Sequence, residues 1–326
     1  MAEAVSLGID LGGTKIEAAV LRVSNASPSA PSDFDVVLRE RVQTPGDAGY
    51  EAVLHAVAQL IRETVRRAGL DLSHVPVGVG MPGATTRVDG HVKNSNTVCL
   101  NGRPFRQDLR ELLGADVSFE NDANCFALAE ARLGAAQAYC EGIVFGVILG
   151  TGVGGGVIIA GRAWQGLQSL GGEWGHHAVG PWSKPGVAVT ARELALGPRP
   201  ICYCGKTGCL ELYASGPAIE ADYLARSGSA RKLAEIVGRR ADDEHAQVAL
   251  DQFLEAFGRG LANVIDILDP SAVVLGGGVS NIDLLYTEGV ARVAKYVFND
   301  ELLTPILKHR LGDSAGVIGA ALLPLS

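Results

Sequence analysis

Cys202, Cys204 and Cys209 fall within eight residues, in the run Cys202-Tyr203-Cys204-Gly205-Lys206-Thr207-Gly208-Cys209-Leu210-Glu211. Three thiolates in one tight, glycine-containing loop can share a tetrahedral zinc ion, with a fourth ligand drawn from elsewhere. His176 and His177, in Gly172-Glu173-Trp174-Gly175-His176-His177, are the nearest upstream candidates. A site whose four positions are all filled by protein is structural, not hydrolytic. The bland alternative is three reduced cysteines in a core. Cys99, Cys125 and Cys140 stand apart, and disulfide pairing is not expected in a reducing compartment.

Three glycine-rich turns, each after a short apolar run, carry the second kind of chemistry. They are Gly8-Ile9-Asp10-Leu11-Gly12-Gly13-Thr14-Lys15, Leu149-Gly150-Thr151-Gly152-Val153-Gly154-Gly155-Gly156, and Val274-Leu275-Gly276-Gly277-Gly278. Glycine lets the backbone approach a ligand closely, so such turns can aim N–H groups at phosphate oxygens. Three of them, with an Asp in the first and a Thr in the first two, point to a nucleoside triphosphate held between two related halves. Asp10 can hold the hydrated Mg²⁺ of that nucleotide, because Mg²⁺ keeps most of its waters and takes one or two carboxylates. A turn-forming Asp bonded to its own backbone is the competing possibility. Asn121-Asp122-Ala123-Asn124 precedes an apparent helix, where Asn and Asp are preferred caps. A carboxylate there is also kept ionised by the helix dipole and can accept a hydroxyl proton.

The elements that must position these residues read as alternating strands and helices. Strands are expected at Ser6 to Leu11 and Lys15 to Arg22, forming a hairpin instead of the strand-to-helix crossover of a Walker loop. Further strands fall at Val36 to Thr44, Val75 to Met81, Gly142 to Leu149, Val157 to Ala160 and Ala272 to Leu275. Gly150 to Gly156 is expected to be a turn. Helices are expected from about Gly49 to Ala68, from Asp122 to Leu133, from Gln247 to Leu268, stopping at Asp269-Pro270, and from Gly316 to Leu323. Leu11-Gly12-Gly13-Thr14 and Leu149-Gly150-Thr151-Gly152 form a faint internal repeat.

Bulk composition excludes several classes. The 326 residues suffice for two domains, and a net charge of −8 argues against a nucleic-acid surface. Arg62, Arg66 and Arg67 lie on the polar face of an amphipathic helix and are read as solvated. Gly142 to Gly161 carries no charge over twenty residues, but eight of them are glycine. A spanning helix would lose about 1 kcal/mol at each glycine, so strand, turn and strand are expected. No secretory signal is visible, and a cytoplasmic location is expected.

These pieces together resemble the ROK family of sugar kinases (repressors, open reading frames, kinases), within the actin-like ATPase superfamily. The match runs through Asp10-Leu11-Gly12-Gly13-Thr14-Lys15, Glu120-Asn121-Asp122-Ala123-Asn124, Gly150 to Gly156, Gly172-Glu173-Trp174-Gly175-His176 and Cys202 to Glu211. The resemblance implies an α/β, two-domain actin-like (ribonuclease H-like) fold with a cleft between the domains. It implies a small N-terminal domain over 1–122, completed by a helix at about 312–326, and a larger domain over 123–311. It implies Asp122 as the general base, with Gly83, Thr97, Asn121, Glu173, His176 and Glu211 around the sugar. Asp10, Gly12, Gly13, Thr14, Lys15, Thr151, Gly152 and Gly277 would serve ATP and Mg²⁺. His176, Cys202, Cys204 and Cys209 would hold a structural Zn²⁺, with His177 as an alternative ligand. One ring nitrogen of His176 would then meet zinc and the other would face the sugar.

Within the family, Asn94-Ser95-Asn96-Thr97, Leu100-Asn101-Gly102-Arg103-Pro104-Phe105 and the long segment between His176 and Cys202 resemble the fructokinase and mannokinase branch. The expected reaction is phosphorylation of D-fructose at its 6-hydroxyl. A glucokinase or mannokinase of broad hexose specificity, a sugar-sensing regulator without turnover, and an actin-like structural or chaperone ATPase are the alternatives. The family's repressors carry an N-terminal helix-turn-helix domain, whereas here the first strand begins near Met1, so DNA binding is not expected. A homodimer is expected from the family alone.

Overall fold

The structure is a computed structural model that describes residues 3–24, 33–86, 88–179 and 201–325. Two compact units emerge: Met1–Gly146 with Gly156–Gly172 and His309–Ser326, and Val147–Gly155 with Glu173–Lys308.

The first unit is built on β1 (Ala4–Leu11), β2 (Lys15–Val23), β3 (Phe34–Gln43) and β4 (Val77–Met81), with a small hairpin of β5 (Ala84–Thr85) and β6 (Val92–Lys93), and β7 (Val117–Asn121). The sheet order is β3-β2-β1-β4-β7. β1 pairs antiparallel with β2 and parallel with β4, and β4 pairs parallel with β7. The expected opening hairpin is therefore present. Its strands are almost wholly buried because both faces of the sheet are covered.

Helix α1 (Tyr50–Arg67) supplies one cover. Val53, Val57, Leu60, Ile61 and Val65 fall at helical spacing and enter the core with Leu7, Ile9 and Val79. Arg62, Arg66 and Arg67 sit on its exposed side, as expected; Arg67 pairs with Glu40, and Arg62 donates to the Leu112 carbonyl. Helices α2 (Phe105–Leu113) and α3 (Asp122–Arg132) follow. The C-terminal helix, Ala315–Leu322, packs on β1, β4 and α3. Gly78 makes this possible, since a Cβ there would overlap the Ala320 carbonyl. Buried Glu130 of α3 fixes the approach to that helix, accepting backbone N–H bonds from Arg310 (3.0 Å) and Leu311 (2.8 Å).

A second sheet has the order β10-β9-β8-β11-β12, with β8 (Ile143–Leu149), β9 (Val153–Ile159), β10 (Arg162–Ala163), β11 (Ala272–Gly276) and β12 (Ile306–Lys308). Here the structure departs from expectation. The strand after the glycine turn begins at Val153 instead of Val157, so Gly154, Gly155 and Gly156 are strand residues. Tertiary packing overrides their poor strand propensity. A Cβ at Gly156 would lie 2.6 Å from the Ala123 carbonyl and 2.8 Å from Ala127 Cβ, so the bare strand lets α3 lie against it. Ala160, expected in the strand, has φ 49° and forms a two-residue turn with Gly161 (φ 71°).

The second unit holds α4 (Glu211–Ala214), α5 (Gly216–Ser227), α6 (Leu233–Gly238), α7 (Glu244–Leu268) and α8 (Glu288–Tyr296). Asp243 caps α7 through the amides of His245 and Ala246, and Asp269 (φ 42°) ends it before Pro270. Phe253, Phe257, Leu261 and Val264 line its buried face, as their spacing predicts. No described helix is long and apolar enough to cross a membrane.

Candidate active site and metal centre

In the first unit, the carboxyl ends of three parallel strands bring several of the expected residues together. Asp10, the penultimate residue of β1, is level with Gly80 of β4, and Gly80 and Met81 are level with Glu120 and Asn121 of β7. Ligands of open α/β sheets gather at such strand ends. The Asp10 pKa is pushed up to about 7, first by burial, then by the charges of Asp122 and Glu17, against a lowering by Lys15. Two carboxylates that feel each other in a partly buried pocket are suited to a divalent cation or to an acid–base pair. Gly316, in the first turn of the C-terminal helix, faces Asp10; a Cβ there would sit 2.7 Å from Oδ2.

Asn121 is the helix cap of α3, accepting from the Ala123 amide (2.9 Å), while its Nδ2 donates to the Gly83 carbonyl (2.9 Å). The capping and functional roles thus divide between neighbours: Asn121 caps and anchors to Gly83, and Asp122 opens the helix at its positive end. Gly12, Gly13, Thr14 and Lys15 form the exposed hairpin turn, closed by Gly12 N–H to the Lys15 carbonyl (3.0 Å) and braced by Thr44 Oγ1 on the Gly12 carbonyl (2.8 Å). Lys15 reaches Glu17 at 3.7 Å. Beside Gly13 stand Asn96 and Thr97. The Thr97 hydroxyl is buried and has no hydrogen-bond partner, an arrangement that costs stability unless a ligand or water completes it.

In the second unit, the remaining expected residues surround the β8–β9 turn and the cysteine loop. Gly150 N–H bonds the Gly152 carbonyl (2.9 Å), and Gly216 N–H bonds the Gly150 carbonyl (2.8 Å). Thr151 is exposed at the tip. Gly277 (φ 81°) meets the end of β8, where a Cβ would overlap the Leu149 carbonyl, so two of the three glycine turns touch through bare backbone. Glu211 Oε2 accepts the Val153 amide at 3.0 Å. Glu173 precedes the single turn Trp174–His176, which Trp174 fastens to β9 by donating Nε1–H to the Gly154 carbonyl (2.8 Å).

His176, Cys202, Cys204 and Cys209 present one ligand atom each, all within 4.8 Å of one another. Cys204 and Cys209 sulfurs are 3.6 Å apart, and Cys202 Sγ is 3.6 Å from His176 Nδ1. A tetrahedral ion with metal–sulfur bonds of about 2.3 Å requires sulfurs about 3.8 Å apart, so the donor set fits zinc. Burial holds the thiols of Cys202 and Cys209 above their ordinary pKa, the latter at about 12, a state that a bound cation would reverse. His177 is outside the cluster; its carbonyl accepts the Leu210 amide (2.9 Å) and its ring pKa is lowered, chiefly by burial. The second ring nitrogen of His176, expected to face a sugar, lies 2.9 Å from the Tyr203 hydroxyl. Most of the long segment between His176 and Cys202 lies outside the described residues.

The ROK family profile matches residues 6–326. The chain belongs to the ROK family. It is 37% identical over 319 residues to the N-acetyl-D-glucosamine kinase of Photobacterium profundum, covering 97% of this chain and 98% of that one. It is 36% identical over 319 residues to the N-acetyl-D-glucosamine kinase of Vibrio parahaemolyticus, covering 97% and 98%. Among solved structures, the ROK hexokinase from Thermus thermophilus superposes with a TM-score of 0.80 at 33% identity, covering 99% of this chain and 97% of that one. A ROK family glucokinase from Streptomyces griseus, solved with glucose and AMPPNP, gives 0.70 at 27% identity, covering 98% of each. The expected two-domain, actin-like α/β fold of ROK sugar kinases is therefore present. The relatives do not single out the fructokinase and mannokinase branch.

Within this ROK protein, further polar residues gather beside Asn121, and two of them, Gln165 and Arg106, carry no recognisable signal of their own in the sequence. Glu120 is buried and accepts from the Asn121 amide (2.8 Å), Asn124 Nδ2 (3.0 Å) and Gln165 Nε2 (2.6 Å). Arg106 lies over the Phe119 ring and has a buried Nε without a partner. Together with Met81, Gly83 and Ser169 they line a small cavity of about 30 Å³. Glu120 and Asn124 belong to the motif that carries the resemblance; nothing in the sequence marks Gln165.

Proposed function

We propose that this chain is an ATP-dependent sugar kinase that transfers the γ-phosphoryl group to the primary 6-hydroxyl of a hexose. The observation that carries the proposal is the placement of Asp10 and Asp122 at the ends of parallel strands, each within electrostatic reach of the other. Phosphoryl transfer asks mainly for positioning and charge stabilisation. Asp122, at the first turn of α3, would take the proton of the hexose hydroxyl as it attacks. Asp10 would hold the hydrated Mg²⁺, which neutralises charge on the triphosphate.

Gly12, Gly13, Thr14 and Lys15 would serve the nucleotide, and Gly83, Thr97 and Asn121 the sugar. The orphaned hydroxyl of Thr97 supports that assignment, because a sugar hydroxyl would complete it. Thr151, Gly152 and Gly277 would serve the nucleotide, and Glu173, His176 and Glu211 the sugar. His176 with Cys202, Cys204 and Cys209 would hold a structural Zn²⁺ that fixes this loop.

For the sugar itself, D-fructose is favoured by the Asn94 to Phe105 region, which resembles the fructokinase and mannokinase branch and contains Thr97. Substrate choice depends on a few contact residues, whereas identity over a whole chain mostly records the shared fold. N-acetyl-D-glucosamine is the second reading, favoured by the activity for which two relatives that match along nearly the full length are named. A coupled assay of ADP release across fructose, mannose, glucose and N-acetylglucosamine decides between them. Absence of turnover with every sugar would remove the kinase reading.

A further inference from the structure

On the nucleotide role proposed above for Gly12, Gly13, Thr14 and Lys15, we infer that Thr44 is a positioning residue for phosphate binding. It holds two peptide groups of that turn with their N–H bonds facing outward.

Thr44 follows the last residue of the edge strand β3 and grips the turn at two points. Its hydroxyl donates to the Gly12 carbonyl (2.8 Å), and its amide donates to the Thr14 carbonyl (3.0 Å). In a trans peptide the carbonyl and the next residue's N–H point in opposite directions. The Gly12 carbonyl shares its peptide with Gly13 N–H, and the Thr14 carbonyl shares its peptide with Lys15 N–H. Both N–H groups therefore point away from Thr44, on a turn whose Gly13, Thr14 and Lys15 are exposed. A carbonyl that accepts a hydrogen bond also polarises its own peptide, which makes that N–H a stronger donor. Without these bonds a peptide of the turn can rotate and present its carbonyl oxygen to the phosphates. Glycine at 12 and 13 leaves the first peptide especially free to do so.

Thr44 is itself held in place. It is buried, and Pro45 follows it, which keeps its backbone out of the helical region. Three positions earlier, Arg41 Nε donates to Glu17 Oε2 (2.7 Å), and Arg39 donates to the other oxygen of the same carboxylate. Glu17 is buried and lies level with Arg41 in the β2–β3 register. The end of β3 is thus anchored to the strand that leaves the turn. An edge strand can end without any such contact; this one ends on two carbonyls that must be kept from a phosphate.

The test is nucleotide binding, measured by calorimetry with Mg²⁺ and AMPPNP, a non-hydrolysable ATP analogue. Wild type, Thr44→Val and Thr44→Ser are compared, each confirmed folded by circular dichroism. Valine keeps the shape and the amide and removes only the hydroxyl; serine restores the hydroxyl. Thr44→Ala takes the place of Thr44→Val if the latter does not fold. Affinity weaker by about threefold or more in Thr44→Val, the effect of one lost hydrogen bond, and recovered in Thr44→Ser, supports the inference. A smaller loss in Thr44→Val overturns it even where the melting temperature falls, because the hydroxyl then serves stability alone. Failure of serine to restore affinity also overturns it. Wild type that binds no nucleotide removes the nucleotide reading and the inference together. Wild type that binds it but phosphorylates no sugar defeats the kinase proposal and leaves this result intact.

Discussion

Glu211 Oε2 receives the Val153 amide hydrogen at 3.0 Å, so a carboxylate two residues beyond the last cysteine of the loop is fastened to the turn that follows β8. The cysteine loop and the second glycine turn are thus one mechanical piece. Cys209 leads into Leu210, whose amide is held by the His177 carbonyl, and Glu211 opens α4. Removing the metal should therefore disturb more than the loop. Chelation is expected to lower the melting temperature by roughly 5 °C or more, since a ligand that binds only the folded state stabilises by mass action. Scanning fluorimetry with chelator, and then with zinc restored, checks it. A metal-free preparation that melts unchanged would break the link.

Asp10 makes cation-free stability depend on pH. Its folded pKa of about 7 lies above the unfolded 3.8, so the folded state binds the extra proton between those values. The associated stability is fully present below about pH 4 and is lost as pH rises through about 7, at about 1.4 kcal/mol per unit of difference. Asp10→Asn should flatten this decline. Urea unfolding at pH 5 and pH 8, without divalent cation, measures it; equal pH dependence in the variant would refute the assignment.

Gly316→Ala sets two effects against each other. Alanine favours a helix over glycine by about 0.5–1 kcal/mol, yet its methyl would stand 2.7 Å from Asp10 Oδ2. Steric contact wins at the site because the aspartate must move. The variant should remain folded and show a KM for Mg·ATP raised several-fold, with the sugar KM little changed. Unchanged nucleotide kinetics would mean that Asp10 does not serve the cation.

Glu120→Ala would leave the Asn121 amide, Asn124 Nδ2 and Gln165 Nε2 without their acceptor. Buried donors without partners cost about 1–3 kcal/mol. Equilibrium denaturation should show a loss in that range, and Gln165→Ala a smaller one. If Glu120→Ala were as stable as wild type, the network would not be what holds the start of α3.

Much of this is readable from residue order, because local chemistry coincides with tertiary need. The Asp10 hairpin turn, the Asn121 cap and the Asp269-Pro270 stop each depend on short-range backbone rules. The cysteine spacing points to a candidate metal loop, and the structure brings His176 and the three thiols together as that reading requires. What stays hidden depends on distant contacts. Gly154 to Gly156 look like a turn because what makes them strand residues is tertiary, as at Gly156, where α3 lies against the bare backbone, and no local pattern announces that. Gln165 looks like any loop glutamine until the fold places it on Glu120. Thr44 has no local signal because the carbonyl its hydroxyl holds is 32 residues away.

The central claim is that Asp122 removes the proton from the hexose hydroxyl. Its most direct measurement is the rate of sugar-dependent ADP release by Asp122→Asn at saturating Mg·ATP, alongside sugar binding by calorimetry. The expected result is a kcat reduced by about 10²–10⁴-fold, the range of a lost general base, with sugar affinity within a few-fold of wild type. A variant that turns over near the wild-type rate would contradict it.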